Sequence, residues 1–396
     1  MAEKTLELGI DEMTVVLQIH PHVKQQLTPF DWKDCAECII EIFLKKSDFV
    51  NIFGEQIMQR NPPQGYTVAY TYGEHNFYIA VAYHDYQINM GVAVKFSAQA
   101  LDYYCVQSGL KPYQFLQRIR DNFYSIRISR VDLTADFINE GVDVTAIYQG
   151  LIDRKIAVFR EYESKRTGKT EFRRMDMNYQ GIIKGGEVPT VYLGSVKSNS
   201  RLRIYDKRRE QLERNGTKYD KARACIDWVR FEGVYRNEYS HQIGDALLKI
   251  KTDDEYANLI ACTLIQKFRL MYIDNGVLGD DTEYSQLLLD CITNGILVLK
   301  APTSRNYDLA KSMMYIFAGS GAMSTLFKIK KIWGDDAVST FLKFMFDCLN
   351  EYAPNDDCSY WLRKNAKDYI KAFPDFDKFM KDTIVPILWK GGKDDE

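Results

Sequence analysis

The sequence predicts an α+β protein: an antiparallel-sheet domain over residues 1–250, followed by a helical C-terminal domain over residues 251–396. Three stretches predict the sheet. Thr190–Lys207, Ile128–Phe137 and Trp228–Arg236 alternate polar and apolar residues with period two, the signature of half-buried strands. The helical half rests on a change of texture after Asp253, where long apolar-periodic runs replace the strand signals.

In chain order, Met13–Ile19 reads as a first strand and Phe30–Lys46 as an amphipathic helix begun near Thr28-Pro29. Tyr66–Tyr72, Asn76–Ala82 and Gly91–Phe96 are rich in β-formers and punctuated by Gly73. Ala98–Gln107 and Pro112–Asn122 are expected as helices with Gly109 as a stop between them. The strand Ile126–Phe137 and a helix over Val142–Arg154 follow. Arg160–Met177 reads as an extended hairpin with Arg166–Lys169 at its tip, and Gly181–Pro189 as a loop. The central strand pair comes next, then a charged segment over Glu210–Ala224, helical at first. The Trp228 strand closes the α+β part, and His241–Ile250 opens the helical remainder, continued by Ala257–Tyr272, Tyr284–Leu297, Ala322–Trp333 and Asp336–Leu349.

Composition bounds the class. The chain has 396 residues, 46% hydrophobic and 27% charged, which is ordinary for a globular protein. Its net charge of −2 counts against a protein that coats DNA nonspecifically, although Arg154–Arg214 is locally rich in Lys and Arg. The polar, acidic N-terminus is not a secretory signal, and no run of about 18 apolar residues offers a membrane span. Eight scattered cysteines fit a reduced, cytoplasmic protein rather than a disulfide framework. Cys35 and Cys38 read as small side chains on one helix face, and His20-Pro21-His22 lacks nearby acids to complete a metal site. The final GGKDDE reads as a short acidic tail.

The three alternating stretches share a further property. Leu202 and Ile204 point one way, while Arg201, Arg203, Tyr205 and Lys207 point the other. Arg130, Asp132, Thr134 and Asp136 likewise share a face, as do Arg230, Glu232 and Arg236. Strands that join in one sheet would therefore gather carboxylates, arginines and a tyrosine on the face away from the core. Cations beside a tyrosine favour its phenolate and attract a phosphodiester, and carboxylate oxygens suit Mg²⁺ or Mn²⁺. Taken alone, Tyr205 is one of 26 tyrosines, and opposite charges across strands also finish an ordinary sheet face.

The ordered motifs RVDLTADF, TVYLGS…RLRIYDKRREQ and VRFEGVYRNE resemble the Rep_trans family over roughly residues 10–245. These are rolling-circle replication initiators of plasmids and related relaxases of conjugative transposons. The resemblance implies a sequence-specific single-strand DNA nickase whose tyrosine forms a 5′-phosphotyrosine and frees a 3′-OH. By motif register the nucleophile falls on Tyr205, with Arg203, Lys207 and Arg230 as catalytic cations. Asp132 and Glu232 become the metal ligands for Mg²⁺ or Mn²⁺, and Asp136 the weakest third. Arg130, Arg201 and Lys197 are expected on DNA. Tyr192 and Tyr235 are the rival nucleophiles, both expected at the functional face or its rim. The implied partners are origin DNA, single-stranded or in a hairpin, and a host helicase; the helical C-terminal part would bind duplex or form a homodimer. A non-catalytic origin-binding protein and a phosphodiester hydrolase are the competing classes.

Overall fold

The computed structural model describes residues 3–20, 29–163, 168–293, 299, 309–318, 320–354 and 356–385. The tip expected at Arg166-Thr167, the helix start at Thr28, His22 and the GGKDDE tail lie outside them. The strands are β1 (Thr5–Ile19), β2 (Gln56–Met58), β3 (Val68–Tyr72), β4 (Ile79–Tyr83), β5 (Val92–Phe96), β6 (Tyr124–Ile138) and β7 (Ile156–Glu163). They continue with β8 (Thr170–Arg174), β9 (Tyr179–Lys184), β10 (Glu187–Leu193), β11 (Ser200–Asp206), β12 (Trp228–Arg236), β13 (Arg269–Asp274) and β14 (Val277–Asp281). Among the described residues, ten form one antiparallel sheet in the order β2-β3-β4-β5-β1-β6-β12-β11-β10-β9. The remaining four form a second, in the order β14-β13-β7-β8.

The apolar rows read from the sequence all face one core. Val131, Leu133, Ala135 and Phe137 of β6 join Leu202 and Ile204 of β11 and Phe231 of β12. Helices Glu238–Leu247 and Asp253–Phe268 contribute Ile243, Leu247, Leu259 and Leu264 to the same core. Toward the β3–β5 end, Phe49 meets Phe43, Phe53, Tyr72 and Phe96 at ring distances of 4.7–5.8 Å, favourable aromatic geometry.

Three local expectations are corrected. The first strand begins at Thr5 rather than Met13, because Leu6, Leu8 and Ile10 already alternate with polar neighbours. Gly181–Pro189 is not a loop: it belongs to the hairpin β9–β10, turned at Gly185-Gly186. The expected helix Ala257–Tyr272 ends at Phe268, and the chain continues as the hairpin β13–β14 around Asn275-Gly276, with φ of 49° and 82°. Asn-Gly is the residue pair such a mirror-image turn prefers, since both positions need positive φ.

The domain boundary also moves. The first compact unit ends at Ala301, not near residue 250, and the second begins at Pro302. Helix Asp253–Phe268 buries residues around most of its circumference, and β13 pairs with β7, so both belong to the sheet unit. The described part of the second unit is helical, through Leu309–Ala318, Ala322–Trp333, Asp335–Asn350, Asp356–Ala372 and Phe376–Phe379.

Candidate active site

The strand order places the three charged rows side by side, with β1 completing them. Tyr205 is opposite Arg230, and Arg230 is opposite Asp136. One pair further along, Arg203 is opposite Glu232, and Glu232 is opposite Thr134. On the other edge of β6, Asp132 is opposite Glu12. A bulge between Ile10 and Glu12 inserts Asp11, and both acids line the same cleft as Tyr205. Sequence reading missed this acidic pair. Its only trace is two consecutive acids, Asp11-Glu12, interrupting the alternation between Ile10 and Met13.

The charged face is sunk rather than solvated. Asp132, Arg230, Tyr205 and Glu232 are 1%, 3%, 4% and 4% exposed. A cleft of about 930 Å³ reaches the last three, lined by Arg130, Arg203, Tyr205, Lys207, Arg230 and Glu232 among others. The Tyr205 hydroxyl donates to Glu232 Oε2 at 3.2 Å, and Arg203 Nη2 donates to the same oxygen at 2.5 Å. Arg203 lies over the Tyr205 ring at 4.4 Å and the Lys207 ammonium at 5.5 Å. Lys207 opens helix Lys207–Arg214, whose N-cap Asp206 accepts from the Arg209 amide. It also pairs with Glu210 at 2.5 Å.

The remaining arginines are engaged by acids. Arg230 grips Asp136 through Nε and Nη2 at 2.6 and 2.7 Å, and its Nη1 reaches Asp11. Arg130 grips Asp132 at 3.0 and 2.7 Å and Glu12 at 2.5 Å. Among the described residues, Arg203 Nε is buried without a hydrogen-bond acceptor.

Electrostatics follows from burial and crowding. Burial pushes Tyr205 well above its ordinary value, and the Glu232 charge adds to this; Arg230 and Arg203 oppose it. Glu232 is raised by burial, against the pull of Arg203 and with the push of Asp11 and Asp132. Asp132 is raised to about 6 by burial, which outweighs Arg130, while Glu12 and Asp11 push it further up. Burial would raise Asp136 too, but the Arg230 guanidinium outweighs it and holds that carboxyl below its usual value.

The raised Asp132 has a measurable consequence. A carboxyl whose folded-state value exceeds its unfolded one contributes stability at low pH, which is lost as pH rises through the folded value. Between pH 4.5 and 7.5 the wild type should therefore lose about 2 kcal/mol relative to Asp132→Asn, by the worth of a pKa displacement. Urea melts at both pH values check this; a difference that stays constant with pH would show that Asp132 titrates normally.

The expected site residues are sorted by this geometry. Tyr205, Arg203, Lys207, Arg230, Glu232 and Arg130 meet at the cleft. Asp132 is tied to Arg130, and Asp136 is set apart, with both oxygens on Arg230. Arg201 instead lies over the Tyr192 ring at 3.9 Å, and Lys197 is exposed in the β10–β11 turn; neither lines the cleft. Tyr235 is removed as a rival nucleophile. Counting in twos along β12 puts it on the core side with Phe231, where it is fully buried and donates to the Thr263 carbonyl.

Asp11, Glu12, Asp132 and Glu232 carry carboxylate oxygens, the donor type that Mg²⁺ and Mn²⁺ prefer. Their mutual repulsion is the strain that a cation relieves. Yet among the described residues no three His, Cys, Asp or Glu side chains converge on one ion position. Arg130 and Arg203 hold oxygens of Glu12, Asp132 and Glu232 that such an ion would need.

A family model described as "Replication initiation factor" matches residues 126–341, more than half of the chain. A protein of Bacillus subtilis (strain 168) named "Putative DNA relaxase NicK" is 28% identical over 198 residues, which cover 48% of this chain and 50% of that protein. The chain thus spans about half the length of that curated relative. The solved structure of a rolling circle replication initiator protein from Geobacillus stearothermophilus superposes with a TM-score of 0.50 at 16% identity, covering 74% of this chain and 99% of that one. At that identity the likeness is one of fold. Among the described residues no helix is long and apolar enough to cross a membrane. The matched span covers β6, β11 and β12, the three strands that carry Asp132, Tyr205 and Glu232, and the chain belongs to the Rep_trans family of replication initiation factors.

Proposed function

We propose that the protein is a DNA strand transferase that nicks one strand at an origin through a covalent tyrosine intermediate. One observation carries the reading: a cleft-lining tyrosine, Tyr205, bonded to Glu232 and set among Arg203, Lys207 and Arg230. The Tyr205 oxygen attacks phosphorus in line, the P–O3′ bond breaks, and a 5′-phosphotyrosine and a free 3′-OH result. The phenolic proton passes first to Glu232, which already accepts the hydrogen bond, and is returned through water to the departing 3′ oxygen, so one proton is given up and one taken. One ester replaces another, so the step reverses without an external energy source.

The cations supply the electrostatics. Arg203 has a buried Nε left over for an incoming phosphate oxygen, and a guanidinium so placed favours the charge that develops in the transition state. Its partial withdrawal toward phosphate also releases Glu232 to accept the proton. Mg²⁺ or Mn²⁺ would polarise the phosphate when bound, and Asp132 and Glu232 would hold it only with Arg130 and Arg203 moved off their oxygens. Arg130 and Lys207 extend the positive lining along the cleft. Origin DNA is the proposed partner. A host helicase and a second copy of the chain remain part of the same proposal.

A fluorescent single-stranded oligonucleotide covering the origin of the element that encodes the chain tests this. Incubated with Mn²⁺ and run on a denaturing protein gel, it should give a labelled band at the summed mass, lost with EDTA. Tight binding with no cleavage of either strand would instead make the chain an origin-binding protein. Cleavage without an adduct would make it a hydrolase.

A further inference from the structure

The chemistry at Tyr205 leaves part of its cleft unexplained. On the β3–β4 side, the wall is the connecting loop: His75, Asn76, Phe77 and Tyr78 all line the cleft. This loop is held in one shape. Gly73 sits at φ +57°, where a Cβ would lie 1.9 Å from the Phe53 carbonyl oxygen, so only glycine turns the chain there. His75 Nε2 lies 2.7 Å from that same oxygen. The His75 ring stacks on Phe77 at 4.5 Å and 9°, and Phe77 packs on Tyr103 and Phe53 at 5.4 and 6.0 Å. The next residue of the loop, Tyr78, is 47% exposed and lines the same cleft.

A phosphate-binding cleft needs donors and cations, and has no use for rings. A cleft with arginines on one part and rings on another matches a single strand of nucleic acid, whose phosphates take the cations and whose bases stack on aromatic faces. We propose that Tyr78, which follows the fixed His75–Phe77 stack in the same loop, is a nucleobase subsite that stacks an unpaired base in the cleft that also holds Tyr205. The proposal rests on reading the cleft as a single-stranded DNA site, and goes beyond it by assigning a residue that senses whether the base is free. A base inside a duplex is already stacked on its neighbours and cannot enter, so the subsite favours melted or extruded DNA.

Equilibrium binding of the full chain tests it, using fluorescence anisotropy with EDTA present so that nothing is cleaved. The probes are the origin oligonucleotide and a series in which each base in turn is replaced by an abasic site. One or two abasic positions should weaken binding about tenfold, as loss of one base–aromatic stack does. Tyr78→Ala should weaken the intact oligonucleotide by the same factor and add nothing on the oligonucleotide abasic at that position, whereas Tyr78→Phe should bind like the wild type. Tyr78→Ala binding as tightly as the wild type overturns the proposal, and so do losses that multiply independently at every position. The readout is separate from nicking. Coupling without an adduct keeps the subsite and sinks the nickase; an adduct without coupling does the reverse, and failure to bind any oligonucleotide sinks both.

Discussion

Tyr205→Phe is expected to abolish the covalent protein–DNA band, with at least a ~10³-fold loss of cleavage, while DNA affinity stays within about twofold. The substitution removes one oxygen and keeps the ring that packs under Arg203. Only the hydrogen bond to Glu232 is lost, worth about 1 kcal/mol to the fold, so the variant should remain folded. Tyr192→Phe is the matched control. Tyr192 stands opposite Arg203 in β10, but lies under Arg201 and away from the cleft lining, so its loss should leave the adduct intact. Full adduct in Tyr205→Phe and none in Tyr192→Phe would reverse the assignment. The measurement is the labelled band on a denaturing gel, quantified against binding by anisotropy.

Arg230→Ala should be the most destabilising single change in the site, by about 3–5 kcal/mol, because it leaves a buried carboxylate without its partner. The Arg230 and Asp136 side chains are 4% and 8% exposed and share two hydrogen bonds. Replacing both by apolar residues, as in Asp136→Leu with Arg230→Met, should recover most of that loss, since a buried ion pair is worth little over well-packed carbon. Urea denaturation of the single and double variants decides it. Recovery of stability without recovery of the covalent adduct would show that Arg230 acts both in the fold and on the phosphate. Recovery of both would reduce Arg230 to a structural partner of Asp136.

Much of the site was legible because β alternation is a local property. Period two assigns each residue of RVDLTADF, RLRIYDK and VRFEGVYR to a face from the strand's own residues. The charged rows therefore came out correctly wherever the counting was kept. Where it was relaxed, as for Tyr235, the face came out wrong. The hairpin at Asn275-Gly276 was equally local, but the apolar run of Asp253–Phe268 carried the helical reading on to Tyr272, over most of the strand that leads into the turn. The boundary near residue 250 failed for another reason. A helix buried around most of its surface looks the same in sequence whether it packs in its own domain or on a sheet.

The sequence by itself determined the three motif strands, the apolar and charged rows along them, and their order in the chain. Tertiary structure alone decided how those residues combine. Register between β1 and β6 joins residues more than a hundred positions apart, and its bulge sets Asp11 and Glu12 into the cleft. The registers of β12 with β6 and with β11 divide the other acids, tying Asp136 to Arg230 and leaving Glu232 to meet Arg203 and Tyr205. Asp132 pairs with Arg130 within β6 itself. The wall at His75–Tyr78 comes from the loop between β3 and β4, two strands with no charged row. The physical reason is that side-chain direction is set by φ and ψ of the residue itself, whereas distance, burial and charge coupling belong to pairs that only the folded chain brings together.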